Sequence, residues 1–254
     1  MINTGVHQTA NIGLYVTHLM VSLPSGGDRQ GSGNSLIKLV DKYRSTDFQI
    51  ISSSVFGFEC DVMLMCLAKN VDTIWQFEQD VKKIDLIISD SFFSITELSE
   101  YTTTEAEEQE RVNSLDETDD AKAEMMKQWS ERMAIYEKHR LFPELPEKKF
   151  ICFYPMSKKR EAHANWYALS FDERVKYMRN HGSVGRKYSG KILQLITGAT
   201  GLTDFEWGVT LLSDSLVDIK NIVYEMRFDE ASALYGEFGH FTIAKIVSLE
   251  EALS

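Results

Sequence analysis

The chain has 254 residues, 43% hydrophobic and 11% aromatic, enough to bury a core and too many for a disordered chain. Its formal net charge of −11 excludes a general nucleic-acid binder, which needs a basic surface to displace phosphate counterions. No apolar run reaches the about 18 residues that a membrane helix needs, and the N-terminus lacks the pattern of a secretory signal, so a soluble cytoplasmic protein without membrane or nucleic-acid partners is expected.

In chain order, "NIGLYVTHLMVSL" (11–23) reads as a strand, rich in β-branched and aromatic residues, and "LPSGGDRQGSG" as a flexible loop. Leu36, Leu39, Val40 and Tyr43 then fall at helical spacing, with Asn34 or Ser35 as the cap. "FQIISSSVFGF" and "CDVMLMCLA" read as strands, "NVDTIWQFEQDVKKI" as a helix and "DSFFSITELSEY" as a strand. The first half is therefore βαββαβ. Residues 101–147 form an acidic connector whose first part, around "DETDD", reads as solvated. Its second part, "AKAEMMKQWSERMAIYEKHR", reads as helix, and "LFPELPEKK" as an extended linker set by two prolines.

The second half repeats the order. "KKFICFYPM" (148–156) is a strand that leaves its sheet at Pro155. "SFDERVKYMRNHG" (170–182) is a helix opened by a Ser170/Glu173 capping box and closed by Gly182. "KILQLITGA" and "DFEWGVTLL" are strands, "SLVDIKNIVYEMRF" a helix, "DEASALYGEF" a shorter one and "GHFTIAKIV" the last strand. The expected fold is α+β: two ferredoxin-like units, residues 1–100 and 148–254, joined by the connector. Joining their sheets edge to edge removes unpaired strand edges and gives an eight-stranded, barrel-like body with outer helices.

Cys60, Cys66 and Cys152 follow no CxxC spacing and read as free buried thiols. His181 stands at the expected helix end, before the glycine-rich basic stretch "GSVGRKYSGK". With no cluster of Cys, Asp or Glu beside it, it cannot build a zinc site, but it could be the one proximal ligand of a haem iron. Gln194 is an amide in the middle of an apolar strand: either a satisfied core residue or a donor facing a cavity. Tyr154 precedes Pro155, and Lys158, Lys159 and Arg160 follow at once. Such cations are either solvated or hold carboxylates.

The segments "FYPMSKKR", "NWYALSFDERVKYMRNHGSVGRKYSGK", "QLITG", "DFEWGVTL" and "YEMRFDEASALYGEFG" together resemble the chlorite dismutase-like superfamily, and within it the coproheme decarboxylases. The resemblance is dense from about Arg140 to Phe241 and thinner before, and it implies a dimeric α+β barrel, in agreement with the tandem ferredoxin-like pattern. It implies His181 as the proximal iron ligand, Tyr154 as the residue that becomes a radical, and Lys158 as the lysine that contacts and assists a propionate. It implies Gln194 as the distal glutamine, and Arg140 and Ser232 as propionate holders. Pro155, Met156 and Ser157, inside "YPMSK", go with them to the cofactor-binding side. The activity so implied is peroxide-dependent conversion of two propionates of coproheme to vinyl groups, giving haem b, in a homo-oligomer, a pentamer. Chlorite dismutation would need a distal arginine where Gln194 stands, and glutamine carries no fixed charge. A non-catalytic haem carrier and a module without haem are the other readings, since fold alone decides nothing.

Overall fold

The computed structural model describes residues 13–45, 47–57 and 59–254. Asn11, Ile12 and Phe58, placed in strands by the sequence, lie outside the described residues. The first half contains β1 (Tyr15–Ser22), α1 (Arg29–Tyr43), β2 (Phe48–Val55), β3 (Val62–Ala68), α2 (Val71–Val81) and β4 (Ile87–Thr96). Two connector helices follow, α3 (Glu105–Asn113) and α4 (Asp119–Leu141). The second half contains β5 (Phe150–Lys158), the short hairpin β6 (Arg160–Glu161) and β7 (Ala164–Asn165), α5 (Phe171–Arg186), β8 (Ile192–Gly198) and β9 (Trp207–Ser213). It ends with α6 (Leu216–Met226), α7 (Glu230–Tyr235), β10 (Gly236–Phe238), β11 (Thr242–Ile246) and α8 (Leu249–Ala252). Both halves carry the expected βαββαβ order. No helix of the described residues is long and apolar enough to cross a membrane.

The main strands form one antiparallel sheet in the order β10-β5-β11-β2-β3-β1-β4-β8-β9, and β9 also pairs with β5. That extra pairing makes a ring of eight hydrogen-bonded neighbours, the α+β barrel arrangement expected of two joined ferredoxin-like sheets. The ring is thinnest at β4–β8, where only Ile95↔Gly198 and Thr96↔Thr197 pair.

Alternation along the strands divides the core into three. Val16, Met20, Met63, Met65, Ile151, Phe153 and Leu212 fill the space inside the ring. Leu19, Leu64 and Cys66 face outward under α1, α2 and α8. Cys152, Tyr154, Val209 and Leu211 face outward under α5 and α6, with Tyr188, Ile219, Ile222 and Met226 as the helical side of that layer. All three cysteines are free and buried. One imidazole, His18, sits inside the ring, fully buried and stacked on Phe153 at 3.9 Å, with Nε2 3.0 Å from Thr210 Oγ1. Burial pushes its pKa down to about 3, so it is neutral there.

Four local expectations need correction. Helix α1 starts at Arg29, not after Asn34, because Asp28 caps it by accepting the Gly31 N–H. The acidic stretch after residue 104 is helical, closed at its start by a Thr104/Glu107 capping box. Helix α5 passes through Gly182 and ends at Arg186. Gly182 is not among the positive-φ glycines, whereas Gly190 (φ 80°) is. His181 therefore lies inside a helix, more than a turn from its end, where the terminal dipole has little effect. Finally, β5 does not end at Pro155 but runs on to Lys158.

Candidate functional site

The continuation of β5 has a non-local cause. Along one edge, β11 pairs with Phe150–Phe153 and β10 with Met156–Lys158. Pro155 falls at the changeover, where no ladder N–H is needed, and its carbonyl accepts the Gly239 N–H at 2.8 Å. Gly239, His240 and Phe241 stand opposite Tyr154 and Pro155, a bulge that lays Phe241 on the Tyr154 ring at 4.2 Å. Because side chains alternate, Cys152, Tyr154, Met156 and Lys158 share the outward face. Pro155 and Ser157 point the other way, and Ser157 Oγ accepts the Glu206 N–H.

Tyr154 is 4% exposed. Burial raises its phenol pKa strongly, with Cys152 adding to the effect and the Arg227 charge opposing it. The phenol is thus fully protonated at neutral pH. It can part with a proton only together with an electron, or to a strong base.

His181 sits on α5, and its Nδ1 lies 3.1 Å from Asp229 Oδ2 and 3.5 Å from Ser232 Oγ. A carboxylate on Nδ1 fixes the proton there and leaves the Nε2 lone pair free, the arrangement metal-ligating histidines normally have. Asp229 also caps α7, accepting the Ser232 N–H on Oδ1. Burial pushes its carboxyl up, but the contacts with His181 and Ser232 outweigh this and hold it below the ordinary value.

The turn Arg227–Ser232 reaches almost every residue singled out above. Asp229 and Ser232 meet His181, and the Ala231 carbonyl accepts from Lys158 Nζ at 3.2 Å. Arg227 lies over Phe238 (4.7 Å) and Phe241 (5.9 Å), the rings that cover Tyr154. Of this turn, sequence reasoning singled out only Ser232. A signal for Asp229 was present: an Asp three residues before Ser232 is a helix cap pattern. Its partner lies 48 residues away, which no local pattern shows.

Lys158 is 6% exposed and lies 4.4 Å over the Trp166 ring. Burial pushes its pKa down to about 8, with Asp229 and Glu206 opposing. The folded value lies below the reference 10.5, so the folding penalty is complete below pH 8 and fades as pH rises toward 10.5. Lys158→Met is therefore expected to raise the unfolding free energy at pH 7 by about 1–3 kcal/mol. Urea denaturation at several pH values measures this. The gap between variant and wild type should narrow above pH 8, and a variant less stable at pH 7 would contradict the sign.

Gln194 and Arg140 stand at other walls. A Cβ on Gly185 of α5 would lie 3.7 Å from Gln194 Oε1 and 3.5 Å from Met226 Cε, so α5 rests directly on β8 and α6 at this point. Burial raises the pKa of the Glu97 carboxyl, against the hydrogen bond it accepts from Trp207 Nε1 and the nearby charge of Arg140, in the last turn of α4. Trp207 pairs with Met156 across β5–β9, which places this cation toward the Lys158 end. Arg140 Nε is buried and has no hydrogen-bond partner among the described residues. Two surface clefts of about 350 and 270 Å³ meet at Val175 and Arg179 on α5, and none of the candidate residues lines them.

The sequence model described as chlorite dismutase matches residues 29–247. A solved structure titled as a novel heme-binding protein from Thermus thermophilus shares 34% identity over 96% of each chain, with a TM-score of 0.77. The chlorite dismutase from Candidatus Nitrospira defluvii in complex with imidazole shares 18% identity, covering 96% of this chain and 95% of that one at a TM-score of 0.69, and so shares the fold.

Proposed function

The chain belongs to the chlorite dismutase family, and from that premise we propose that it binds coproheme and decarboxylates two of its propionates with hydrogen peroxide, giving haem b. The observation that carries this reading is the face of β5. It sets Tyr154 and Lys158 on one side of a strand, under the turn that holds His181. The residues fit an iron porphyrin edged with carboxylates: an imidazole with its second nitrogen held by a carboxylate, and the unpartnered Nε of Arg140.

Bound through His181 Nε2, the iron porphyrin supplies the reaction with peroxide and the oxidising capacity. The protein's residues do the rest. Asp229 keeps the proton on Nδ1. Lys158, Arg140 and Ser232 hold propionate carboxylates, and Gln194 offers an amide on the facing wall. Tyr154 gives up its hydroxyl hydrogen as a proton and an electron, and the neutral tyrosyl radical takes a hydrogen atom from the β-carbon of a propionate. Loss of carbon dioxide and one further electron leaves the vinyl group. For each propionate, R–CH₂CH₂COO⁻ + H₂O₂ + H⁺ gives R–CH=CH₂ + CO₂ + 2 H₂O. A glutamine at position 194 offers no fixed positive charge, which disfavours chlorite chemistry.

The test is a peroxide titration of the coproheme complex followed by mass spectrometry of the porphyrin. The expected result is stepwise loss of two carboxyl groups, one peroxide consumed for each. A complex that forms but keeps all four carboxyls until the ring bleaches would overturn the decarboxylase reading in favour of a haem carrier.

A further inference from the structure

Glu206, the residue before β9, is 6% exposed and forms no ion pair among the described residues. It is tied to the end of β5 from both sides. Its N–H donates to the Met156 carbonyl and to Ser157 Oγ, each at 3.1 Å, and its Oε2 accepts the Lys158 N–H at 2.8 Å. The Tyr167 phenol stands beside it, held protonated by burial and by this carboxylate. None of these contacts needs a charge. A glutamine oxygen would accept the Lys158 N–H as well, and burying a carboxylate without an ion pair is unfavourable. The cation on which the charge acts is the Lys158 ammonium. Around it stand the Ala231 carbonyl of α7 and the Trp166 ring from the turn after β7. Two carboxylates, Asp229 and Glu206, oppose the burial that drives it toward the neutral amine. Asp229 also serves His181 and the α7 cap, whereas Glu206 has no cation in direct contact.

We infer that Glu206 is a positioning residue whose buried charge keeps the Lys158 ammonium ready for a porphyrin carboxylate. The inference rests on the reading proposed above and deepens it. A neutral amine has no charge to set against a propionate, so Glu206 decides, with Asp229, up to what pH the site holds its substrate. The same charge repels the bound carboxylate. Removing it therefore has two opposite effects: affinity rises or holds while Lys158 stays charged, and falls at a lower pH than before.

Metal-free coproporphyrin, a tetracarboxylate, tests carboxylate capture apart from iron ligation, with quenching of tryptophan fluorescence followed from about pH 6 to 10 as the readout. Trp166 is the indole under Lys158. Wild-type affinity is expected to fall as pH rises past about 8, where Lys158 loses its proton. Lys158→Arg should abolish that fall, because arginine stays charged throughout. In Glu206→Gln the fall should begin about one pH unit lower. The variant then binds about three- to tenfold more weakly than wild type at pH 9 and matches or exceeds it at pH 6. Comparison at each pH cancels any titration of the porphyrin itself. Glu206→Asp draws the charge back by one methylene and should fall in between, which carries the test if Glu206→Gln does not fold. Variants of Glu206 that lose affinity at the wild-type pH overturn the inference. So does a loss of one size at every pH, because that marks a packing role, and so does a fall that persists in Lys158→Arg. Wild-type protein that shows the Glu206-dependent fall but leaves coproheme intact under peroxide overturns only the decarboxylase reading. Decarboxylation by Glu206→Gln with the wild-type pH profile overturns only the role of Glu206.

Discussion

Tyr154→Phe is expected to bind coproheme with near wild-type affinity and to lose about 10²–10⁴-fold or more of the decarboxylation rate. The two effects separate because the ring and the hydroxyl have separate tasks. The ring is stacked on Phe241 and packed near Phe238, and phenylalanine keeps both contacts. The hydroxyl has no hydrogen-bond partner among the described residues, so its removal breaks no bond within the protein. What it removes is the one hydrogen that this position can give up as a proton and an electron together. Burial raises the phenol pKa strongly, so the wild-type rate should show no tyrosine titration between pH 6 and about 9. Rapid-mixing spectroscopy with mass analysis measures the rate. Wild-type turnover in Tyr154→Phe would remove Tyr154 from the mechanism and leave the binding assignments standing.

The order of elements was open to reading because local pattern decides it: period-two runs for strands, helical spacing and caps for helices. The Ser170/Glu173 box is a case, present in the structure as its residues require. The errors cluster where a distant partner overrules a local signal. Pro155 is a sound stop signal by itself. It is silenced only because β11 gives way to β10 beside it. Gly182 is a sound helix end by itself, but α5 runs on to Arg186, and at Gly185 it packs against Gln194 and Met226. Both corrections bear on the site. The first places Tyr154 and Lys158 on one face. The second moves His181 from a helix end to a helix interior, where Asp229 rather than the helix dipole sets its proton. Asp229 shows in the sequence only as a helix cap, because its contact with His181 spans 48 residues and leaves no local pattern.

His181→Ala is expected to lose the axial bond to iron, with a shifted and weakened Soret band on coproheme addition, and also to lose stability. The second loss follows from Asp229, whose side chain is only 4% exposed. Without His181 its Oδ2 has lost a charge-assisted partner, although Oδ1 still accepts the Ser232 N–H. A half-satisfied buried carboxylate of this kind costs about 1–3 kcal/mol. A weak band in the single variant would therefore mix poor folding with lost ligation, and the pair of variants His181→Ala and His181→Ala/Asp229→Asn separates them. Asparagine removes the buried charge and keeps the α7 cap, so the double variant should recover most of the thermal midpoint. It should not recover the band, because no imidazole reaches the iron. Asp229→Asn alone keeps the ligand but gives it a weaker orienting partner, and should lower iron-porphyrin affinity about 10–100-fold while leaving metal-free coproporphyrin binding near wild type. A His181→Ala protein with the wild-type band and affinity would show that iron is held elsewhere. Loss of metal-free coproporphyrin binding in Asp229→Asn would show that Asp229 shapes the pocket rather than the ligand.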